Sequence, residues 1–199
     1  MYVPRATAIS DQTLALNPNG LQFTGLSDGK RRLRNGSDYT YSAGTLTLKA
    51  SLLTELVGDR ALGVDATLEA HFSRGVPWHI NIVTNEQPAL LAATGITSSD
   101  LIIPTQFNGD TLTTMHSVYS DGTNAGQTSW TPYQEYGTDS VGNGAYSADY
   151  ANNEIVLTKG YLASLTDGSR VTLTFQYWSG ATTTYYLKVS GSTVTGSLS

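Results

Sequence analysis

The sequence predicts an all-β chain folded as two tandem β-sandwich modules. The first observation behind that prediction is a repeat. Leu46-Thr47-Leu48-Lys49-Ala50-Ser51-Leu52-Leu53-Thr54-Glu55-Leu56 is answered by Ile155-Val156-Leu157-Thr158-Lys159-Gly160-Tyr161-Leu162-Ala163-Ser164-Leu165. Asp38-Tyr39 is answered by Asp149-Tyr150, and Phe72-Ser73-Arg74-Gly75 by Tyr177-Trp178-Ser179-Gly180. The offset is 109 for the first pair and 105 for the last, because the first copy carries extra residues around Gly58–Val64. Self-similarity on this scale marks two related modules in series. The second observation is composition: 39 % hydrophobic, only 14 % charged, and 20 glycines in 199 residues. That balance suits a turn-rich β protein and argues against coiled coils and helix bundles. The third is local pattern. Short alternating runs are separated by Gly, Asn and Asp turns every ~8–12 residues, the spacing of an immunoglobulin-like sandwich.

Element by element, Thr45–Leu48 alternates with Leu46 and Leu48 on one face. Val64–Phe72 places Leu68, Ala70 and Phe72 together. After a Ser73–Pro77 turn, Trp78, Ile80 and Ile82 resume the apolar phase, so Trp78 is expected in the core. This is a hairpin with one buried face. In the second module Val171, Leu173, Phe175 and Tyr177 form the inward set, continued after the Ser179-Gly180 turn by Thr183, Tyr185, Leu187 and Val189. The Leu52/Leu53/Leu56 and Tyr161/Leu162/Leu165 spacings predict one helical turn in each copy. The expected boundaries are a spacer module at 1–86, a connector at 87–100 and a second module at 101–199. Leu90, Leu91 and Ile96 make the connector too apolar for a free linker, so it is expected to pack against one module.

Charge and cysteine content narrow the partners. Residues 1–96 hold eight basic and eight acidic side chains; residues 97–199 hold three and eight. An acidic, aromatic-rich module repels phosphate and anionic lipid, which excludes nucleic acid and membrane surfaces and leaves neutral polar ligands such as sugars. With no cysteine, the chain fits a cytosolic or a bacterial secreted protein, and the Thr/Ser/Gly/Tyr-rich surface favours the second. Met1-Tyr2-Val3-Pro4 opens no signal peptide, so an export signal is expected upstream.

The candidate chemistry is aromatic. The second half holds 13 of the 19 Phe, Tyr and Trp residues. Trp178 shares the outward phase with Thr172, Thr174 and Gln176. A large indole on a solvent face requires a reason. It is either a platform for the apolar face of a sugar ring, with Gln176 beside it, or a surface packed against the connector or the other module. Trp130 either fills the core, as one Trp commonly does in such sandwiches, or reaches a ligand together with Tyr133. No catalytic residues, metal ligands or cofactors are expected. The acids of the second half are scattered over turns, and His71, His79 and His116 form no triad order and no metal spacing. Lys30-Arg31-Arg32-Leu33-Arg34 reads as a solvated hairpin edge or a docking surface for an acidic partner domain.

Through Leu33-Arg34-Asn35-Gly36-Ser37-Asp38-Tyr39-Thr40-Tyr41, Leu46–Leu56 and Phe72-Ser73-Arg74-Gly75, residues 4–85 resemble the immunoglobulin-like X-type modules of bacterial cellulases. Through Ile103-Pro104-Thr105-Gln106-Phe107-Asn108-Gly109-Asp110-Thr111-Leu112, Tyr119, Ala125-Gly126, Trp130-Thr131 and Phe175-Gln176-Tyr177-Trp178-Ser179-Gly180, residues 100–190 are similar to carbohydrate-binding module family 46. The resemblance implies the C-terminal part of a trimodular bacterial endo-β-1,4-glucanase of glycoside hydrolase family 5, with a catalytic domain upstream. It implies non-catalytic binding of soluble β-glucans, xyloglucan and mixed-linkage β-1,3-1,4-glucan, on the strand carrying Trp-Ser-Gly. In this sequence Gln176 stands where that strand sometimes carries a second aromatic. The competing expectation is a purely structural or adhesive stalk.

Overall fold

The computed structural model describes residues 1–126, 140–141 and 144–199. The chain divides into two compact units, Met1–Glu86 and Gln87–Ser199. The first holds β1 (Tyr2–Pro4), β2 (Gln12–Ala15), β3 (Phe23–Ser27), β4 (Tyr39–Ser42), β5 (Thr45–Leu48), α1 (Ala50–Val57), β6 (Gly63–Phe72) and β7 (Trp78–Asn85). Its sheets run β1-β7-β6-β3 and β2-β5-β4. Alternation puts Leu46, Leu48, Leu68, Ile80 and Ile82 into one core, which Leu52, Leu53 and Val57 of α1 close.

The second unit holds β8 (Ala89–Leu90), β9 (Ala93–Ile96), β10 (Leu101–Gln106), β11 (Leu112–Tyr119), β12 (Ser140–Val141), β13 (Tyr146–Asp149), β14 (Glu154–Leu157), α2 (Lys159–Ser164), β15 (Arg170–Tyr177), β16 (Thr182–Ser190) and β17 (Thr193–Ser197). One sheet runs β12-β13-β14-β10-β8, the other β11-β15-β16-β17-β9. Ile103, Ile155 and Leu157 of the first sheet meet Leu173, Phe175, Tyr185 and Leu187 of the second in a single core. Residues of the expected connector supply β8 and β9, one edge strand to each sheet. On β17, Gly196 is required by packing: a Cβ there would collide with the ring of buried Tyr185.

The repeat is visible in the pairing. Both units place two antiparallel strands, a helix and a hairpin in the same order, β4-β5-α1-β6-β7 and β13-β14-α2-β15-β16. Each helix also receives a distant cap. Ala50 N donates to Asp11 Oδ1 at 2.8 Å, and Lys159 N to Asp100 Oδ1 at 2.7 Å. In both cases the aspartate directly precedes a strand that pairs with the one leading into the helix, and it satisfies an amide that no intrahelical carbonyl can reach.

Two expectations are corrected. The helical segments exceed one turn: α1 has eight residues and α2 six. Polar residues extend the apolar spacing at both ends, since helix formation requires only one buried stripe. Trp78 is not core. It is the first residue of β7, where Ile80 and Ile82 have already used the interior, and its ring lies on Phe72 at 4.5 Å and stays 37 % exposed. The first unit therefore does present an exposed aromatic. The basic run closes a local turn. Asp28 Oδ1 accepts from Lys30 N and Arg31 N, and Arg31 pairs with Asp38 and Glu55, both at 3.1 Å.

Candidate functional site

Trp178 follows the last residue of β15 and opens the β15–β16 turn. Tyr177 N donates to Ala181 O at 3.0 Å, and Gly180 N donates back to Tyr177 O at 3.0 Å. Gly180 takes φ +91°, the left-handed residue that such a three-residue turn demands. In the first copy the β6–β7 connection begins at Ser73 and is one residue longer, with Gly75 also at φ +91°. At the first position of the connection one copy has a serine and the other an indole.

A second turn anchors the first. Asn108 and Gly109 both have positive φ, 52° and 78°, and Asp110 N donates to Phe107 O at 2.9 Å. This is the mirror-image turn that Asn-Gly favours. It delivers the Asp110 carboxylate, which is 3 % exposed, under the β15–β16 turn. Asp110 Oδ1 accepts from Thr111 N at 2.8 Å and Ser179 N at 3.2 Å, and Oδ2 accepts from the Ser179 hydroxyl. Trp178 N donates to Thr111 O at 2.9 Å. A buried carboxylate satisfied by three donors is a strong, directional fastener. The Phe-Asn-Gly-Asp and Trp-Ser-Gly segments, distant in sequence, are therefore one structure. A cavity of about 220 Å³ opens beside them, lined by Phe107, Asn108, Asp110, Tyr150 and Asn153.

Trp178 is 45 % exposed. Gln176, two residues earlier in the same phase, is exposed as well, and its carbonyl receives the Thr113 hydroxyl at 2.9 Å. Gln176 is thus exposed on β15, and Trp178 is exposed in the turn that follows it. Trp130 and Tyr133 lie outside the described residues. Away from Trp178 the face is rich in threonine. Thr174 stands opposite Thr184, Gln176 opposite Thr182, and Thr172 opposite Tyr186. Asp110 and Tyr186 were not singled out from the sequence. Tyr186 was legible, since it stands in the opposite phase to core Tyr185; Asp110 was not, since its partner is 69 residues away.

Behind the face, burial pushes the Tyr177 phenol far up, aided by the nearby Asp110 charge, while its hydroxyl lies 3.1 Å from Thr183 Oγ1. Burial likewise raises Tyr161 and Tyr185 to about 12. These phenols stay neutral and structural at ordinary pH. Among the described residues, no three His, Asp or Glu side chains gather as a metal site would. His71 lies 2.8 Å from the Ser27 hydroxyl and 3.7 Å from Glu69.

An exposed indole on a hydrogen-bonded turn, at the end of a threonine-rich sheet face, is a surface that an uncharged polar ligand could contact. Comparison with known proteins supplies the class. Residues 86–197 match the carbohydrate binding domain CBM46, and residues 2–82 match carbohydrate binding domain X2. Over its whole length the chain is 43 % identical to endoglucanase B of Paenibacillus lautus, of which it covers 34 %. It superposes on the tri-modular endo-β-1,4-glucanase B (Cel5B) of Bacillus halodurans with a TM-score of 0.88 and 37 % identity, over 100 % of this chain and 36 % of that one. For the tri-modular glycoside hydrolase family 5 endo-β-1,4-glucanase of Bacillus licheniformis, the TM-score is 0.74 at 28 % identity, over 96 % and 37 % of the two chains. That enzyme has also been solved with cellotetraose. The chain belongs to carbohydrate-binding module family 46, with an X2-type domain ahead of it. It spans about a third of the length of these relatives and corresponds to their carbohydrate-binding modules; their catalytic domain lies in the part it does not cover.

Proposed function

We propose that this chain serves a secreted bacterial endo-β-1,4-glucanase, holding soluble β-glucans close to a catalytic domain upstream in the same polypeptide. The ligands are xyloglucan and mixed-linkage β-1,3-1,4-glucan. The second unit makes the contact, Trp178 stacking on a glucosyl face and Gln176 hydrogen-bonding its hydroxyls, with Trp130 and Tyr133 as further contacts. The first unit acts as a spacer. The observation that carries the reading is the exposed Trp178 ring, held by a turn that Asp110 and Thr111 fix from beneath.

A magnitude limits the mode of action. One sugar on one indole hides ~50 Å² of apolar surface, worth about 1.3 kcal/mol, whereas millimolar affinity requires about 4 kcal/mol. A single ring is therefore a weak site. It becomes effective through added contacts, or through tethering beside a cleft that holds the same polymer, where effective concentration replaces affinity.

Affinity electrophoresis in xyloglucan gels tests this. Wild type should be retarded, and Trp178→Ala should migrate with roughly tenfold weaker retention. Equal retardation of the two would remove Trp178 from the site.

A further inference from the structure

Beyond the Trp178 turn, the same outward face carries a second ring. Tyr186 of β16 is 41 % exposed and faces a groove of about 720 Å³. Thr172, Lys188, Thr195, Ser197 and Arg170 line it. Register fixes where it lies. Tyr186 stands between Thr172 on β15 and Ser197 on β17, and Trp178 lies six residues beyond Thr172 in the chain, just past the end of β15. At ~3.4 Å per residue the two rings are roughly 20 Å apart. Between them stand only short side chains, Thr174, Thr182 and Thr184, and the amide of Gln176. No bulky side chain of β15 or β16 interrupts the path.

The far end of the path is cationic. Arg170 and Lys188 are directly opposite each other in the ladder. Like charges in that position repel, and neither takes part in a salt bridge among the described residues. Both line the groove, and no side-chain hydrogen bond or ion pair engages their donors among the described residues. A ring flanked by donors and hydroxyls matches a sugar, whose C–H face is apolar and whose edge accepts hydrogen bonds.

We propose that Tyr186 is a second stacking subsite, so that one β-glucan chain lies along β15 and β16 from Trp178 to Tyr186, its far hydroxyls bonded by Arg170 and Lys188. The proposal rests on the reading of Trp178 as a glucan platform and extends it from one sugar to a stretch of chain. It supplies the added contact that a lone indole lacks. It also predicts a length threshold, because a disaccharide reaches one ring while a hexasaccharide reaches both.

The test is titration of the whole chain with cellobiose, cellohexaose and xyloglucan, for wild type, Trp178→Ala, Tyr186→Ala and Tyr186→Phe. Tyr186→Ala should lose about tenfold for cellohexaose and xyloglucan and leave cellobiose unchanged. Tyr186→Phe, which keeps the ring, should bind as wild type. The Tyr186 side chain is at the surface, so an unchanged melting temperature is expected and verifies folding. If Tyr186→Ala binds cellohexaose as wild type while Trp178→Ala is impaired, the second subsite is overturned and the Trp178 reading stands. If only Tyr186→Ala is impaired, Trp178 fails and the groove remains. A wild type that binds none of the three overturns both. Preferential, salt-sensitive binding of a uronate-bearing xylan, lost in Arg170→Ala, would overturn the neutral occupant.

Discussion

A single buried carboxylate organises the Trp178 turn. Asp110 accepts from the Ser179 amide, the Ser179 hydroxyl and the Thr111 amide, and the Thr111 carbonyl receives the Trp178 amide. Asp110→Ala strands buried donors, at a cost of about 1–3 kcal/mol, and releases the turn that presents the indole. The expected result is a lower melting temperature together with xyloglucan retardation reduced toward that of Trp178→Ala. Asp110→Asn keeps an acceptor and should restore most of both. An Asp110→Ala variant that melts earlier yet binds fully would show that the turn holds its shape without the carboxylate. At this scale the sequence is partly legible. The exposure of Trp178 agrees with the phase that β alternation gives it, although the residue stands one position past the end of β15. The Asp110 contact has no such local signal, because it joins positions 69 residues apart. Trp78 shows the converse failure: its phase agrees with Ile80, but burial depends also on how far the core extends beneath the strand end.

Elements are legible where a local period governs them, and not where a distant partner does. The hairpins, the repeat and both helices are marked by apolar spacing. The Asp11 and Asp100 caps act across 39 and 59 residues, so no window on the helix itself discloses them. The inner faces of the second unit carry a further property that spacing alone conceals. Tyr146 on β13, Tyr161 on α2, Tyr177 on β15 and Tyr185 on β16 have phenols raised mainly by burial. Below pH ~10 these groups are neutral in the folded and unfolded chains alike, and their contribution to stability is whole. Above it, the unfolded chain releases protons that the folded chain retains, so stability falls as pH rises toward the folded values near 12. Urea midpoints followed from pH ~9 to ~11.5 should therefore decline steadily, and the phenolate absorbance of these four tyrosines should appear with unfolding rather than before it. A flat midpoint across that window would mean that these phenols ionise in place.

For the whole molecule, charge and repeat together separate the roles of the units. The first 96 residues balance eight basic against eight acidic side chains, while the remainder carries a net −5. Two copies of one fold have thus diverged in surface: one keeps serine at the β6–β7 turn, and the other bears an indole there on an acidic background. An acidic unit that must hold a polymer gains nothing from long-range attraction unless that polymer is cationic. A neutral glucan is held by short-range stacking and hydrogen bonds, which salt screens little. Retardation in xyloglucan should accordingly stay constant from about 20 mM to about 500 mM sodium chloride, although the Debye length falls several-fold over that range. Arg170 and Lys188 do not alter this expectation, because they meet hydroxyls rather than charges on such a chain. A tenfold loss of retention at high salt would place an anionic group of the ligand against those two cations, and neutral β-glucan would cease to be the ligand that this face is built for.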